Sequence, residues 1–305
     1  MGLSIQNHNV VDISLVEGAS VDKNRVKHLL APLAPALTDE NPQTQWEKLY
    51  LGFDLGTTNL VLVALNEKCE PVSAVLKSSH SAVRDGVVVD YFAALKGMES
   101  CVERLTQRLG RPIEGFAAAA YPPGISKKTA NVFSTIVESL GFDCDGLYEE
   151  PTVAAETLGI LNGAVVDIGG GTTGISVLQG GKLVYCADEP TGGTHMTLVL
   201  AGGLNMEIED AEELKRDKAE QLRLMPMLRP VLEKMGIIIK QHLKKSGYYG
   251  AVPVVVSGGG SDLPGAAEIL SAVVEYPVQL APYPMLVTPV GIAARLWREK
   301  NGAVR

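Results

Sequence analysis

The chain has 305 residues, 46% of them hydrophobic and 20% charged, with a formal net charge of -8 and a sequence pI near 5.2. That length accommodates two ordinary domains or one large two-lobed unit, and an acidic chain without a basic cluster interleaved with aromatics is a poor partner for nucleic acid. Cys69, Cys101, Cys144 and Cys186 form no C-x-x-C pair, and His8, His28, His80, His195 and His242 have no ligand spacing, which argues against a disulfide framework or a Cys/His metal cluster and for isolated thiols in a reducing compartment.

The polar first residues carry no signal-peptide pattern, and no apolar run reaches the roughly 18 residues of a membrane span. A cytoplasmic chain is therefore expected. Residues 1–46 read as an N-terminal extension. Val26, Leu29, Leu30 and Leu33 form a short helical stripe that prolines 32, 35 and 42 interrupt. The stripe reads either as an extension of the following domain, packed or loose, or as a short docking helix for a partner.

From residue 50, LYLGFDLGTTNLVLVALNEKCEPV reads as strand, glycine turn, strand, turn, strand. GMESCVERLTQRLG follows as a helix with Gly110 at its C-cap. GFAAAAYPPG is a short apolar strand ending at a Pro-Pro turn, and SKKTANVFSTIVESLG is a helix with Ser126 as N-cap. EEPTVAAETLGIL is a third helix. Residues 163–185, GAVVDIGGGTTGISVLQGGKLVY, return to strand, glycine turn, strand. Residues 207–245 are helical, first as EIEDAEELKRDKAEQL and then as MLRPVLEKMGIIIKQHLKK. VPVVVSGGG is a buried strand running into glycines, and GAAEILSAVV and GIAARLWREK are the last helices. The same order of elements occurs twice, each time opening on a glycine-turn hairpin, which predicts an α/β fold with an internal duplication. The expected boundaries are a first lobe over 47–160 and a second over 161–305, with the C-terminal helix returning to the first.

The two turns follow the same order of residue types. Asp54-Leu55-Gly56 precedes Thr57-Thr58, and Asp167-Ile168-Gly169 precedes, two glycines later, Thr172-Thr173. Gly169, Gly171 and Gly174 satisfy G-x-G-x-x-G, with Asp188-Glu189 about 20 residues on, but a dinucleotide fold needs the last glycine to open a helix. GISVLQGGKLVY alternates with period two and carries a Gly-Gly turn, so it is a hairpin. A hairpin tip still binds phosphate: glycine lets the backbone approach an anion and several N–H groups converge on it. Threonine hydroxyls add donors, and a strand-end aspartate can hold Mg2+ directly or through water.

These residues resemble the actin/Hsp70/sugar-kinase ATPase superfamily. DLGTT at 54–58 and DIGGGTT at 167–173 look like its two phosphate motifs, AAAAYPPG at 117–124 and TPVGIAA at 288–294 like its connecting segments, and VVVSGGGSDLPG at 254–265 like its adenosine motif. EEPTVAAETLG at 149–159 is similar to the Glu-Pro-Thr helix of the Hsp70 branch. RDGVVVDY at 84–91, ADEPTGGTHMTLVLAG and EDAEELKRDKAE further resemble the ethanolamine-utilization protein J family, chaperone-like relatives of Hsp70 encoded with bacterial microcompartment enzymes.

The resemblance implies a duplicated actin-like ATPase (ribonuclease H-like) fold with ATP and Mg2+ in a cleft between two lobes. Asp54 and Asp167 would organise Mg2+ and the attacking water, with Glu150 as a positioning carboxylate. Gly56, Thr57, Thr58, Asn59, Gly169, Gly170, Gly171, Thr172 and Thr173 would form the two phosphate turns. Gly192, Gly193 and Thr194 would approach the phosphates from the second lobe. Glu212, Lys215 and Arg216, at i, i+3 and i+4 on one helix face, would border the adenosine, and Gly258, Gly259, Gly260 and Asp262 the ribose and base. Two departures accompany the match. The first-lobe lysine of the Hsp70 branch has no corresponding segment, Lys77 being the nearest candidate, and the aspartate that follows the second phosphate motif in that branch is Gly174 here. The implied function is a chaperone-like, slow Mg-dependent ATPase serving ethanolamine-utilization enzymes, cytoplasmic and associated with a microcompartment. A non-catalytic nucleotide-gated scaffold, an actin-like filament protein and, last, a small-molecule kinase remain alternatives. His195 reads as a structural histidine beside the phosphate loop.

Overall fold

Two five-stranded sheets of the same topology carry the duplication. A computed structural model describes residues 20–35, 45–79, 82–84 and 86–302. His8, His80 and the polar start of the chain lie outside these residues. Helix α1 (Lys23–Leu29), capped by Asp22, and a short 3-10 turn precede the first sheet. Strands β1 (Leu49–Leu55), β2 (Asn59–Leu65) and β3 (Pro71–Ser78) form an antiparallel meander. A small hairpin, β4 (Val83–Arg84) and β5 (Val87–Val88), leads into α2 (Tyr91–Leu109). Then come β6 (Gly115–Tyr121), α3 (Lys127–Ser139), β7 (Cys144–Glu149) and α4 (Glu150–Leu158). β6 and β7 add in parallel, and the order is β3-β2-β1-β6-β7.

The second half repeats this plan. β8 (Gly163–Ile168), β9 (Thr173–Gln179) and β10 (Lys182–Glu189) form the meander. Helices α5 (Gly193–Leu204), α6 (Ile208–Arg216) and α7 (Gln221–Ser246) follow, then β11 (Val254–Ser257), α8 (Ala266–Val274), β12 (Val278–Leu280) and α9 (Val287–Asn301). The order β10-β9-β8-β11-β12 mirrors the first sheet.

The central strands are near-continuous apolar runs because both faces of each sheet are covered. One face of the first sheet packs on α2 and α3 through Phe53, Leu62, Met98, Leu105 and Phe133. One face of the second packs on the helices of its own half through Val166, Leu200, Leu228, Leu232 and Ile239. Between the sheets lie α4 and α9, whose core joins Tyr50, Val153, Leu158, Val290 and Leu296 with Val165 and Val255 of the second sheet. The last helix thus packs on β1, β2 and β6 as well as on α4. Its approach to β1 is close: a Cβ on Gly52 would lie 2.4 Å from the Pro289 carbonyl oxygen. Arg298 and Arg295 pair with Glu156 of α4, and the Tyr148 hydroxyl donates to Glu299 at 2.7 Å.

The stripe at Val26, Leu29, Leu30 and Leu33 is buried in this same central core, and the Asp22 amide donates to the Leu158 carbonyl at 2.8 Å. Of its two readings, the packed extension is the one observed. Ser126 caps α3 by accepting from the Thr129 amide at 3.1 Å, and Gly110 ends α2 in the left-handed region. Two boundaries differ from expectation. β7 is a full strand that the sequence pattern did not mark, because it is an edge strand with only Tyr148 fully buried. The helical run from 207 breaks at Asp217–Glu220, whereas α7 runs through Pro226 and Pro230. Its buried stripe of Leu224, Leu228, Val231, Leu232, Met235, Ile239 and Leu243, at about 1.5–3 kcal/mol per side chain, outweighs the penalty of about 3 kcal/mol per proline.

Candidate functional site

The matching turns meet at the mouth of a cleft between the sheets. Each is closed in the same way: the Gly56 amide donates to the Asn59 carbonyl and the Gly169 amide to the Thr172 carbonyl, both at 2.9 Å. The hairpins β1–β2 and β8–β9 bring the two tips into contact. A Cβ on Gly170 would lie 1.7 Å from Thr58 Oγ1, so only glycine permits this approach, and one on Gly171 would lie 3.0 Å from Thr57. The G-x-G-x-x-G match at 169–174 is therefore a hairpin turn and not the start of a helix.

The cleft encloses about 520 Å3 and its lining draws together most of the expected residues. Asp54, Gly56, Thr57, Thr58 and Asn59 come from the first turn, and Asp167, Gly169, Gly170, Gly171 and Thr172 from the second. Glu150 opens α4, and Gly193, Glu212, Lys215, Arg216, Gly258, Gly259, Gly260 and Asp262 complete the set.

Three expected residues stand elsewhere. Thr173 is buried and its hydroxyl donates to the Thr191 carbonyl at 2.6 Å. Gly192 packs behind the second turn, where a Cβ would meet the Gly169 and Gly170 carbonyl oxygens at 2.8 and 2.6 Å. The Thr194 amide donates to the Gly170 carbonyl at 2.8 Å, and the Gly193 amide to the Gly169 carbonyl at 2.9 Å. The start of α5 thus braces the phosphate turn through its carbonyls, and these amides are not free to meet a phosphate in this conformation. His195 accepts from the Gly192 amide through Nδ1 at 3.3 Å, a structural contact. Lys77 lies outside the lining: its neighbour Leu76 faces the cleft, and alternation turns Lys77 toward Cys101 of α2.

Glu212 is the centre of a network on α6. Its Oε2 accepts from Lys215 Nζ at 2.6 Å and from the Thr197 hydroxyl, and its Oε1 accepts from Arg216 Nε at 2.8 Å. Lys215 also donates to Thr197 Oγ1 at 2.8 Å and the Gly193 carbonyl at 3.0 Å. Arg216 Nη2 reaches across the cleft to Asn59 Oδ1 at 2.9 Å, tying α6 to the first hairpin. Lys218 pairs with Asp262 at 2.8 Å. Pro284, Met285, Leu263 and Met196 supply apolar wall, as a flat base requires.

The floor of the cleft is acidic. Burial, together with the neighbouring Asp167, pushes the Asp54 carboxyl up to about 7. Burial pushes Asp167 up to about 6, opposed by the Thr288 hydroxyl, which donates to its Oδ2 at 3.1 Å, and assisted by Asp188. Glu150 is raised well above its ordinary value by burial and by Asp54, Asp167 and Asp188. Like charges held in a low-dielectric cleft are a common mark of functional sites. Among the described residues no three His, Cys, Asp or Glu side chains enclose a metal ion by themselves. The donor set still fits Mg2+, a hard cation that takes one or two carboxylates, keeps several waters and binds the nucleotide's phosphates. Thr288 opens the TPVGIAA segment and Asp188 falls within ADEPTGGTHMTLVLAG, but the motifs gave neither a role at the acidic floor. The four cysteines are free thiols.

Known proteins agree with this geometry. The family model described as cell division protein FtsA matches residues 164–291. Ethanolamine utilization protein EutJ of Escherichia coli strain K12 is 35% identical over 264 residues, covering 86% of this chain and 91% of the relative. The crystal structure of ethanolamine utilization protein EutJ from Carboxydothermus hydrogenoformans superposes with a TM-score of 0.82 at 40% identity, covering 87% of this chain and 96% of that one. MreB 5 of Spiroplasma citri bound to AMPPNP superposes with a TM-score of 0.63 at 14% identity, covering 85% of this chain and 98% of that one, a likeness of fold alone. With its actin-like ATPase fold and this level of identity along most of its length, the chain belongs to the ethanolamine utilization protein EutJ family.

Proposed function

We propose that the cleft binds ATP with Mg2+ and that the chain is a slow ATPase switch of chaperone-like type, acting on ethanolamine-utilization enzymes in the cytoplasm beside a microcompartment. One observation carries the reading: two Asp-ended glycine turns of identical design face each other over buried, mutually repelling carboxylates. The solved relative of the same fold is bound to AMPPNP, a nucleotide of the class proposed here.

In this reading Asp54 and Asp167 hold the cation, which when bound neutralises phosphate charge and polarises the scissile bond. Thr57, Thr58 and the amides of the two turns hold the β- and γ-phosphates. Glu150, whose carboxyl is pushed up by burial and its acidic neighbours, orients water at the γ-phosphate. Lys215 and Arg216 border the adenosine, and Gly258–Gly260 lie against ribose and base. Entry of the phosphates separates the turn tips, and closure of the two halves around nucleotide is the working motion.

A second reading, a nucleotide-gated scaffold without turnover, is favoured by Gly174, which stands where the Hsp70 branch has the aspartate that follows its second phosphate motif. The deciding experiment measures Mg2+-ATP binding and hydrolysis by the purified chain beside Asp54→Ala and Asp167→Asn. Slow turnover lost in either variant supports the ATPase. Binding without turnover supports the scaffold, and a wild type that binds no nucleotide refutes both.

A further inference from the structure

Beside the cleft, strand register fixes the place of a further acid. Asp188 on β10 stands directly opposite Gly174 on β9, and Gly174 stands directly opposite Asp167 on β8. Opposed residues of an antiparallel ladder project on the same face. Asp167, Gly174 and Asp188 therefore form one row across three strands, and Gly174 lines the cleft.

The central member of the row has no side chain of its own. A Cβ on Gly174 would have Asp188 Oδ1 at 3.7 Å and the Asp167 carbonyl oxygen at 4.0 Å, both ordinary contacts. The Asp188 carboxylate thus lies against Gly174, which itself lines the cleft.

We propose that Asp188 is a positioning residue for the nucleotide's divalent cation, acting from β10 across the gap at Gly174 on the water shell of a cation held by Asp167. The inference rests on the nucleotide reading above. Among the described residues no three acidic side chains converge on one ion position, and Mg2+ keeps several of its waters, so Asp188 acts through bound water. A carboxylate placed instead at position 174 would serve the same water from one strand nearer, and the contacts there leave room for it.

The test is the Mg2+ dependence of ADP affinity, measured by calorimetry in wild type, in Asp188→Asn and in Asp188→Asn combined with Gly174→Asp. In EDTA, Asp188→Asn binds ADP within about twofold of wild type, but the Mg2+ concentration for half-maximal enhancement rises about 10- to 100-fold, as for other partners of a metal's bound ligands. The double variant recovers most of that loss. A midpoint in Asp188→Asn that matches wild type overturns the inference and leaves the nucleotide reading intact. So does a loss that the double variant, melting at the wild-type temperature, fails to restore, since that is the signature of a structural role. A wild type that binds no ADP with or without Mg2+ overturns both.

Discussion

Replacing Asp54 by asparagine is expected to stabilise the nucleotide-free chain, and to do so more strongly as pH rises. The carboxyl of Asp54 ionises near 3.8 when exposed and at about 7 in the fold, because burial and Asp167 disfavour its charge. Between those values the folded state holds a proton that the unfolded state has lost, so stability falls with pH. The penalty begins near pH 4 and is complete above pH 7. A shift of about 3 units corresponds to a ceiling of about 4 kcal/mol. Asp54 keeps some contact with solvent, and the repulsion is shared with Asp167, so a gain of roughly 1–2 kcal/mol is expected for the variant at pH 8. That is a Tm higher by roughly 2–3 °C for a chain of this length. The assay is thermal unfolding of both proteins in EDTA from pH 5 to pH 8. A residue that destabilises its own fold while serving a ligand is an expected compromise at a functional site. With ADP and Mg2+ added, wild type gains more than the variant, because the cation relieves the charge that asparagine lacks. A variant less stable than wild type at pH 8, or a difference that ignores pH, would refute the electrostatic argument.

Three further outcomes follow from close contacts. Gly52→Ala drives a Cβ to 2.4 Å from the Pro289 carbonyl and 3.0 Å from the Ala293 amide nitrogen, so α9 must shift off β1. A loss of about 1–3 kcal/mol is expected in denaturant unfolding, and unchanged stability would refute the packing of α9 described here. Gly170→Ala places a methyl group 1.7 Å from Thr58 Oγ1 and wedges the turn tips apart. ADP affinity should fall at least about tenfold, roughly 1.4 kcal/mol, with little change in Tm, as calorimetry and melting together would show. Arg216→Ala removes the bond to Asn59 from a partly exposed pair, so stability should change by less than about 1 kcal/mol. Asn59→Ala should reproduce its effect on nucleotide affinity, and opposite effects of the two variants would show that the pair does not act as a unit.

The duplicated hairpins were legible because their signals are local. Asp, Gly and Thr in fixed order, flanked by period-two strands, prescribe a turn with converging donors whatever surrounds it, and the caps at Ser126 and Gly110 are equally local. The resemblance of DLGTT and DIGGGTT to known phosphate motifs then placed most of the cleft residues. Thr173, Gly192 and Thr194 stand outside the lining, because their places depend on which carbonyls Thr173 and the start of α5 meet.

The helix break at Asp217–Glu220 and the uninterrupted α7 escaped sequence reasoning for a related reason. Buried apolar contacts on the second sheet decide where that chain runs, and they override the local preference of Pro226, whereas Pro230 already fell within the expected helix. Composition and periodicity by themselves determined most element types, the twofold repeat and the two aspartates near the ends of β1 and β8. Only the tertiary structure decided that α4 and α9 lie between the sheets, that Arg216 meets Asn59, and that Asp188 stands in one row with Gly174 and Asp167. Periodicity says which side of a strand or helix a residue occupies, but the identity of its neighbour depends on cross-strand register and on packing between segments more than a hundred residues apart.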